Sequence, residues 1–195
     1  FAEQIKDAFP GSNVNVVYPK NPDNEQEARN ILSRFPAQLY LGYSLGSLWL
    51  LKYQDGLPLN CHKAVLAPIL SFLNTEPFGG KTSKVQLKYL IKILSNDSSK
   101  TNVLRDFFFN ADLPYPESQI EEIPERNILI KGLKFLENNK VTGKDTNDFL
   151  SIIGENDTFL DAGVLRHHIP HLEIVKNAGH SPTPLLKQLA KRILI

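Results

Sequence analysis

The chain has 195 residues, 42% of them hydrophobic and 22% charged, with a formal net charge of +1. That length is one domain's worth, enough to bury most of its apolar surface in a single core. The near-neutral charge gives no pull toward nucleic acid or an anionic membrane surface. A single cysteine, Cys61, excludes an internal disulfide and fits a reducing, cytoplasmic compartment. No apolar run approaches the roughly 20 residues that span a bilayer.

Residues 1–9 carry apolar side chains at helical spacing and predict an amphipathic helix, stopped by Pro10-Gly11. This segment reads as the middle of a helix and position 1 is not methionine, so the expectation is that further sequence precedes Phe1. The β-branched run 14–18 predicts a strand closed by Pro19, and residues 24–34 a polar helix ended before Pro36. Next comes Gln38-Leu39-Tyr40-Leu41-Gly42-Tyr43-Ser44-Leu45-Gly46-Ser47-Leu48-Trp49, an apolar run, a Gly-x-Ser-x-Gly corner and a helix-forming run. A serine hydroxyl on such a strand-to-helix corner stands exposed for attack, and glycines on either side keep the turn uncrowded. The N–H of Leu45, at the helix start, would face a developing oxyanion. The alternative is an ordinary Gly-rich turn with a capping serine. A strand over 63–68 follows, so helices and strands alternate with short links, as in a parallel sheet covered by helices.

Between 71 and 144 the alternation stops. Helices are predicted over 84–94, 102–110 and 128–137, with a joint at Pro114 and Pro116, and no strand. An insertion at this point predicts a helical cap over the strand ends; the alternative is a small helical subdomain with no part in binding. The sheet resumes with strands at 149–154 and 172–175, a short helix over 164–168, and a closing helix over 184–195. The expected architecture is α/β: a mostly parallel sheet with helices on both faces, built from 1–70 and 145–195, with 71–144 as the cap.

A serine needs a base to take its proton, and the base needs a group to hold its tautomer and balance its charge. Strand ends along the C-terminal edge of a parallel sheet bring such groups together. Ser44, Asp157 and His180 each follow a predicted strand. His62 precedes one, and His167, His168 and His171 crowd a helix end, where histidine meets the negative dipole. For the acid, Glu155 lies very close to the strand end and Asp161 is placed to cap a helix. The histidines show no H-E-x-x-H spacing and one cysteine cannot build a structural zinc site, so no metal or other cofactor is expected. Gly79-Gly80-Lys81-Thr82 lacks the first glycine and the preceding strand of a phosphate loop and is rejected as one.

Gly42-Tyr43-Ser44-Leu45-Gly46, Gly154-Glu155-Asn156-Asp157 and Asn177-Ala178-Gly179-His180-Ser181-Pro182, in that order, resemble an α/β-hydrolase over nearly the whole chain. The runs 129–136 and 103–108 are similar to the cap of esterases that demethylate pimeloyl-carrier-protein methyl ester in biotin synthesis. The resemblance implies a serine carboxylesterase using Ser44, His180 and Asp157, with Leu45 N–H in the oxyanion hole. Phe72, Phe107, Phe108 and Phe159 would line the acyl channel, though core packing accounts for such aromatics equally well. Lys84, Lys88, Lys92 and Arg105 would offer a basic face to an acyl-carrier protein, or simply form a solvated helix face. The family also has a strand before its first helix whose turn supplies a second oxyanion N–H, worth about 3–4 kcal/mol; no counterpart follows Phe1. Another esterase or thioesterase, or a hydrolase-like binding protein without chemistry, are the competing expectations.

Overall fold

The structure, a computed structural model, describes residues 1–95, 105, 108, 109 and 125–193. Helix α1, Ala2–Ala8, ends at Phe9 just before Pro10. Helix α2, Glu25–Arg34, starts on Asn24, whose side chain accepts the Glu27 N–H and so caps it. Strand β1, Leu39–Tyr43, passes through Ser44 straight into α3, Leu45–Lys52. Strand β2, His62–Leu66, follows, then helix α4, Lys84–Ser95, and helix α5, Arg126–Asn138. Strand β3, Leu150–Gly154, helix α6, Ala162–His168, strand β4, Glu173–Val175, and helix α7, Pro182–Ala190, complete the order.

The four strands form one sheet in the order β1-β2-β3-β4, every pair parallel. Leu39 pairs with His62, Ala64 with Leu150 and Ile152 with Glu173, so all four C-terminal ends lie along one edge. Pairing continues past the strand ends: Ser44 N–H donates to Leu66 O and Glu155 N–H to Val175 O, each fixing a loop to the strand beside it. Val65, Leu66, Ile152 and Ile153 are fully buried, as parallel strands covered on both faces require. Leu48 and Leu51 of α3 and Leu185 and Leu189 of α7 join them in the core. Each such side chain contributes about 1.5–3 kcal/mol by leaving water. Helix α1 packs on α7, and Gln4 Nε2 donates to Thr183 Oγ1 at 3.1 Å.

The strand expected over 14–18 does not form. The segment has no ladder partner among the described residues, and Val16 and Tyr18 stand 37% and 57% exposed. β-Branched composition favours a pleated surface only where a neighbouring strand offers one. In the insertion, α4 and α5 pack on each other and α5 touches α3. The helix expected over 102–110 lies outside the described residues, except that Arg105, Phe108 and Phe109 are helical; the Pro114–Pro116 joint lies wholly outside them.

Candidate active site

Ser44 sits between β1 and α3 with φ of 53° and ψ of −119°, a backbone conformation that non-glycine residues rarely adopt. The corner can be this tight because Gly42 lacks a side chain: a Cβ there would lie 2.6 Å from Gly46 O and 2.8 Å from Ser47 Cα. Gly46 plays no such part, since a Cβ at that position meets nothing within 4 Å, and the expectation of crowding on both sides of the serine is corrected to one side. Ser47, fully buried, holds the corner from beneath. Its hydroxyl donates to Ser44 O at 2.5 Å and accepts Ile69 N–H at 2.9 Å, tying the elbow to the chain leaving β2. Leu45 is the first residue of α3, so its N–H has no acceptor within the helix.

The three residues read from separate strand ends meet here. His180 Nε2 lies 2.9 Å from Ser44 Oγ, and His180 Nδ1 lies 2.8 Å from Asp157 Oδ2. Asp157 and His180 are 1% and 2% exposed, whereas Ser44 is half-buried. The other carboxylate oxygen of Asp157 accepts the N–H groups of Phe159 at 2.9 Å and Leu160 at 3.1 Å. With the carboxylate accepting throughout, Nδ1 must donate, leaving the Nε2 lone pair to accept from the serine hydroxyl.

The rival residues have other work. Asp161 caps α6 by accepting Val164 N–H, and Glu155 accepts Asn177 N–H in the loop leading to His180. His62 opens β2 at the opposite edge of the sheet. His168 Nε2 contacts Pro77 O at 2.7 Å and its ring meets Phe78, while His167 and His171 are exposed.

Of the expected acyl-channel residues, Phe159 packs its ring 4.9 Å from that of His180 and 6.1 Å from that of Phe72, which is buried. Phe108 is half-buried and Phe107 lies outside the described residues. Tyr43, inside the Gly-x-Ser-x-Gly run, carries a role that spacing does not reveal: its hydroxyl donates to His180 O at 2.9 Å. Burial, and then the charge of Asp157, push the Tyr43 phenol well above its usual value, so it stays a donor. On the insertion side, a Cβ at Gly132 of α5 would lie 2.9 Å from Leu45 Cδ1, placing that helix directly over the elbow. Among the described residues, no group of three or more His, Cys, Asp or Glu side chains could hold a metal ion, and no helix is long and apolar enough to cross a membrane.

No protein-family model and no curated protein matches the chain. Solved structures do. The chain is similar to the esterase EaEST from Exiguobacterium antarcticum with a TM-score of 0.68 and 17% identity, over 97% of this chain and 86% of that one. It is similar to the esterase RhEst1 from Rhodococcus sp. ECU1013 with a TM-score of 0.57 and 14% identity, over 93% and 76% of the two chains. The N-acyl homoserine lactonase AidH gives 0.60 and 11%, over 88% and 68%. The chain has the α/β-hydrolase fold.

Proposed function

We propose that the protein is a serine carboxylesterase working through an acyl-enzyme. Support comes above all from one arrangement, Ser44 Oγ at 2.9 Å from His180 Nε2 with Nδ1 at 2.8 Å from the buried Asp157 carboxylate. His180 takes the Ser44 proton as Oγ attacks the ester carbonyl carbon. Asp157 holds the tautomer and balances the imidazolium. The carbonyl oxygen, now negative, is met by Leu45 N–H at the start of α3. As the tetrahedral intermediate collapses, the C–O bond to the alcohol breaks and His180 gives the leaving oxygen its proton. Water, deprotonated by His180, then attacks the acyl-enzyme, and the acid leaves as Ser44 regains its hydrogen.

Pimeloyl-acyl-carrier-protein methyl ester is the substrate we favour, on the cap likeness. Phe159, Phe72 and Phe108 would face the acyl chain. Lys88 and Lys92 are exposed on α4 beside exposed Val85 and Tyr89, a face suited to an acidic carrier, together with Lys84 and Arg105. A carrier-bound substrate places the enzyme in the cytoplasm. A panel of p-nitrophenyl esters, a thioester and the carrier-bound methyl ester tests this. Turnover of the carrier-bound ester at low salt, falling as salt rises, is expected; hydrolysis of free esters alone would set the carrier aside, and no hydrolysis at all would remove the esterase.

A further inference from the structure

The Gly79-Gly80-Lys81-Thr82 segment, unsuited to phosphate, runs between the loop that carries Asp157 and the start of α4 in the insertion. Asp161 N–H donates to Gly79 O at 2.7 Å, Gly80 bridges Leu160 antiparallel, and Lys81 N–H donates to Phe159 O at 2.9 Å. The Lys81 ammonium then reaches back and donates to the main-chain oxygen of Asp157 at 2.6 Å.

Two glycines make this contact possible. Gly79 has φ of +84°, and a Cβ on Gly80 would lie 2.5 Å from Phe72 O and Ser71 O, so only glycine threads this gap. One residue further on, Thr82 bridges Leu73 and its carbonyl accepts Asn74 N–H at 2.9 Å. Ser83 and Gln86 then exchange hydrogen bonds, Ser83 N–H to Gln86 Oε1 and Gln86 N–H to Ser83 Oγ, which opens α4.

We propose that this segment is a strap coupling the insertion to the acid loop, and that Lys81 is a positioning residue for Asp157. The Asp157 carboxylate is oriented by the N–H groups of Phe159 and Leu160. The strap holds the carbonyls of Asp157 and Phe159, so it fixes the main chain of the residue that carries the carboxylate and the peptide unit that carries one of its donors, Leu160 N–H. A charge-assisted hydrogen bond to a carbonyl is about twice as strong as a neutral one, which gives lysine a use here that a neutral side chain fills poorly. Among the described residues, Lys81 forms no ion pair that would otherwise account for it.

The inference rests on Ser44, His180 and Asp157 acting as proposed above. It is tested by comparing Lys81→Met and Lys81→Arg with the wild type in p-nitrophenyl acetate kinetics and in the downfield proton signal of His180 Nδ1–H. Lys81→Met is expected to lower kcat about tenfold at nearly constant KM, since a small misplacement of a catalytic group costs that much or more. Its imidazole proton signal should move or broaden, and Lys81→Arg should restore both. A methionine variant with wild-type kcat and an unmoved signal would overturn the strap. If Lys81→Met does not fold, Lys81→Gln takes its place with the same expected losses and the same overturning result. The proton signal is read without turnover, so a wild type that hydrolyses no ester defeats the esterase proposal while the strap is still decided by the signal.

Discussion

The Tyr43 hydroxyl donates to the main-chain oxygen of His180 across 2.9 Å, and the two rings lie 5.4 Å apart, so the residue before the serine holds the histidine that contacts it. The bond lasts while the phenol keeps its proton, and burial raises that phenol's pKa far above the ordinary tyrosine value near 10. In the unfolded chain Tyr43 loses its proton from about pH 10, whereas in the folded chain it does not. The stabilising contribution is therefore complete below about pH 10 and declines above it, by at most about 1.4 kcal/mol per pH unit. The Tyr53 phenol is also raised by burial, against the opposing charge of Lys52, so the wild type alone does not isolate Tyr43. Tyr43→Phe should lose about 1 kcal/mol at neutral pH and show a shallower fall between pH 9.5 and 11, read by thermal unfolding. Equal slopes in the two proteins would contradict this.

Asp157→Asn keeps an oxygen for the Phe159 and Leu160 N–H groups but turns an amide toward His180. The imidazole must then accept at Nδ1, leaving Nε2 protonated and unable to take the serine proton. Ester turnover should fall about 10³–10⁴-fold with the fold intact by circular dichroism. A loss below tenfold would assign the acid elsewhere.

Ser47→Ala removes the acceptor of a buried N–H, that of Ile69, and the donor to Ser44 O. An orphaned buried donor costs about 1–3 kcal/mol, so urea unfolding should shift its midpoint with unchanged slope. Unaltered stability would mean that another group satisfies Ile69.

Gly154 ends β3 against the loop that carries His180, and a Cβ there would lie 2.1 Å from Gly179 O and 2.5 Å from Ala178 O. Both obstacles are backbone. Gly154→Ala should destabilise by about 1–3 kcal/mol or more and displace His180, lowering kcat as well as the unfolding temperature. Retained activity at wild-type stability would contradict that packing.

That Ser44, Asp157 and His180 meet was legible in the sequence because each lies just past a short apolar run, and a parallel sheet sends all such ends to one edge. Competing residues such as Asp161 could be set aside because capping leaves a local signature. What was not legible depends on contacts between distant segments. The run 14–18 has the composition of a strand, but a strand exists only where another pairs with it. Tyr43, Ser47 and Lys81 reach partners 137, 22 and 76 residues away, and no spacing rule foretells those bonds. Gly46 belongs to the motif by pattern, although the turn itself requires only Gly42.

The most direct measurement is the mass of the covalent product formed with a fluorophosphonate, located by peptide sequencing, in the wild type and in His180→Ala. An adduct on Ser44 in the wild type, formed at least about a thousandfold more slowly without the imidazole, is the predicted result. A wild type that stays unlabelled, or that labels equally fast without His180, would contradict a nucleophilic serine activated by this histidine.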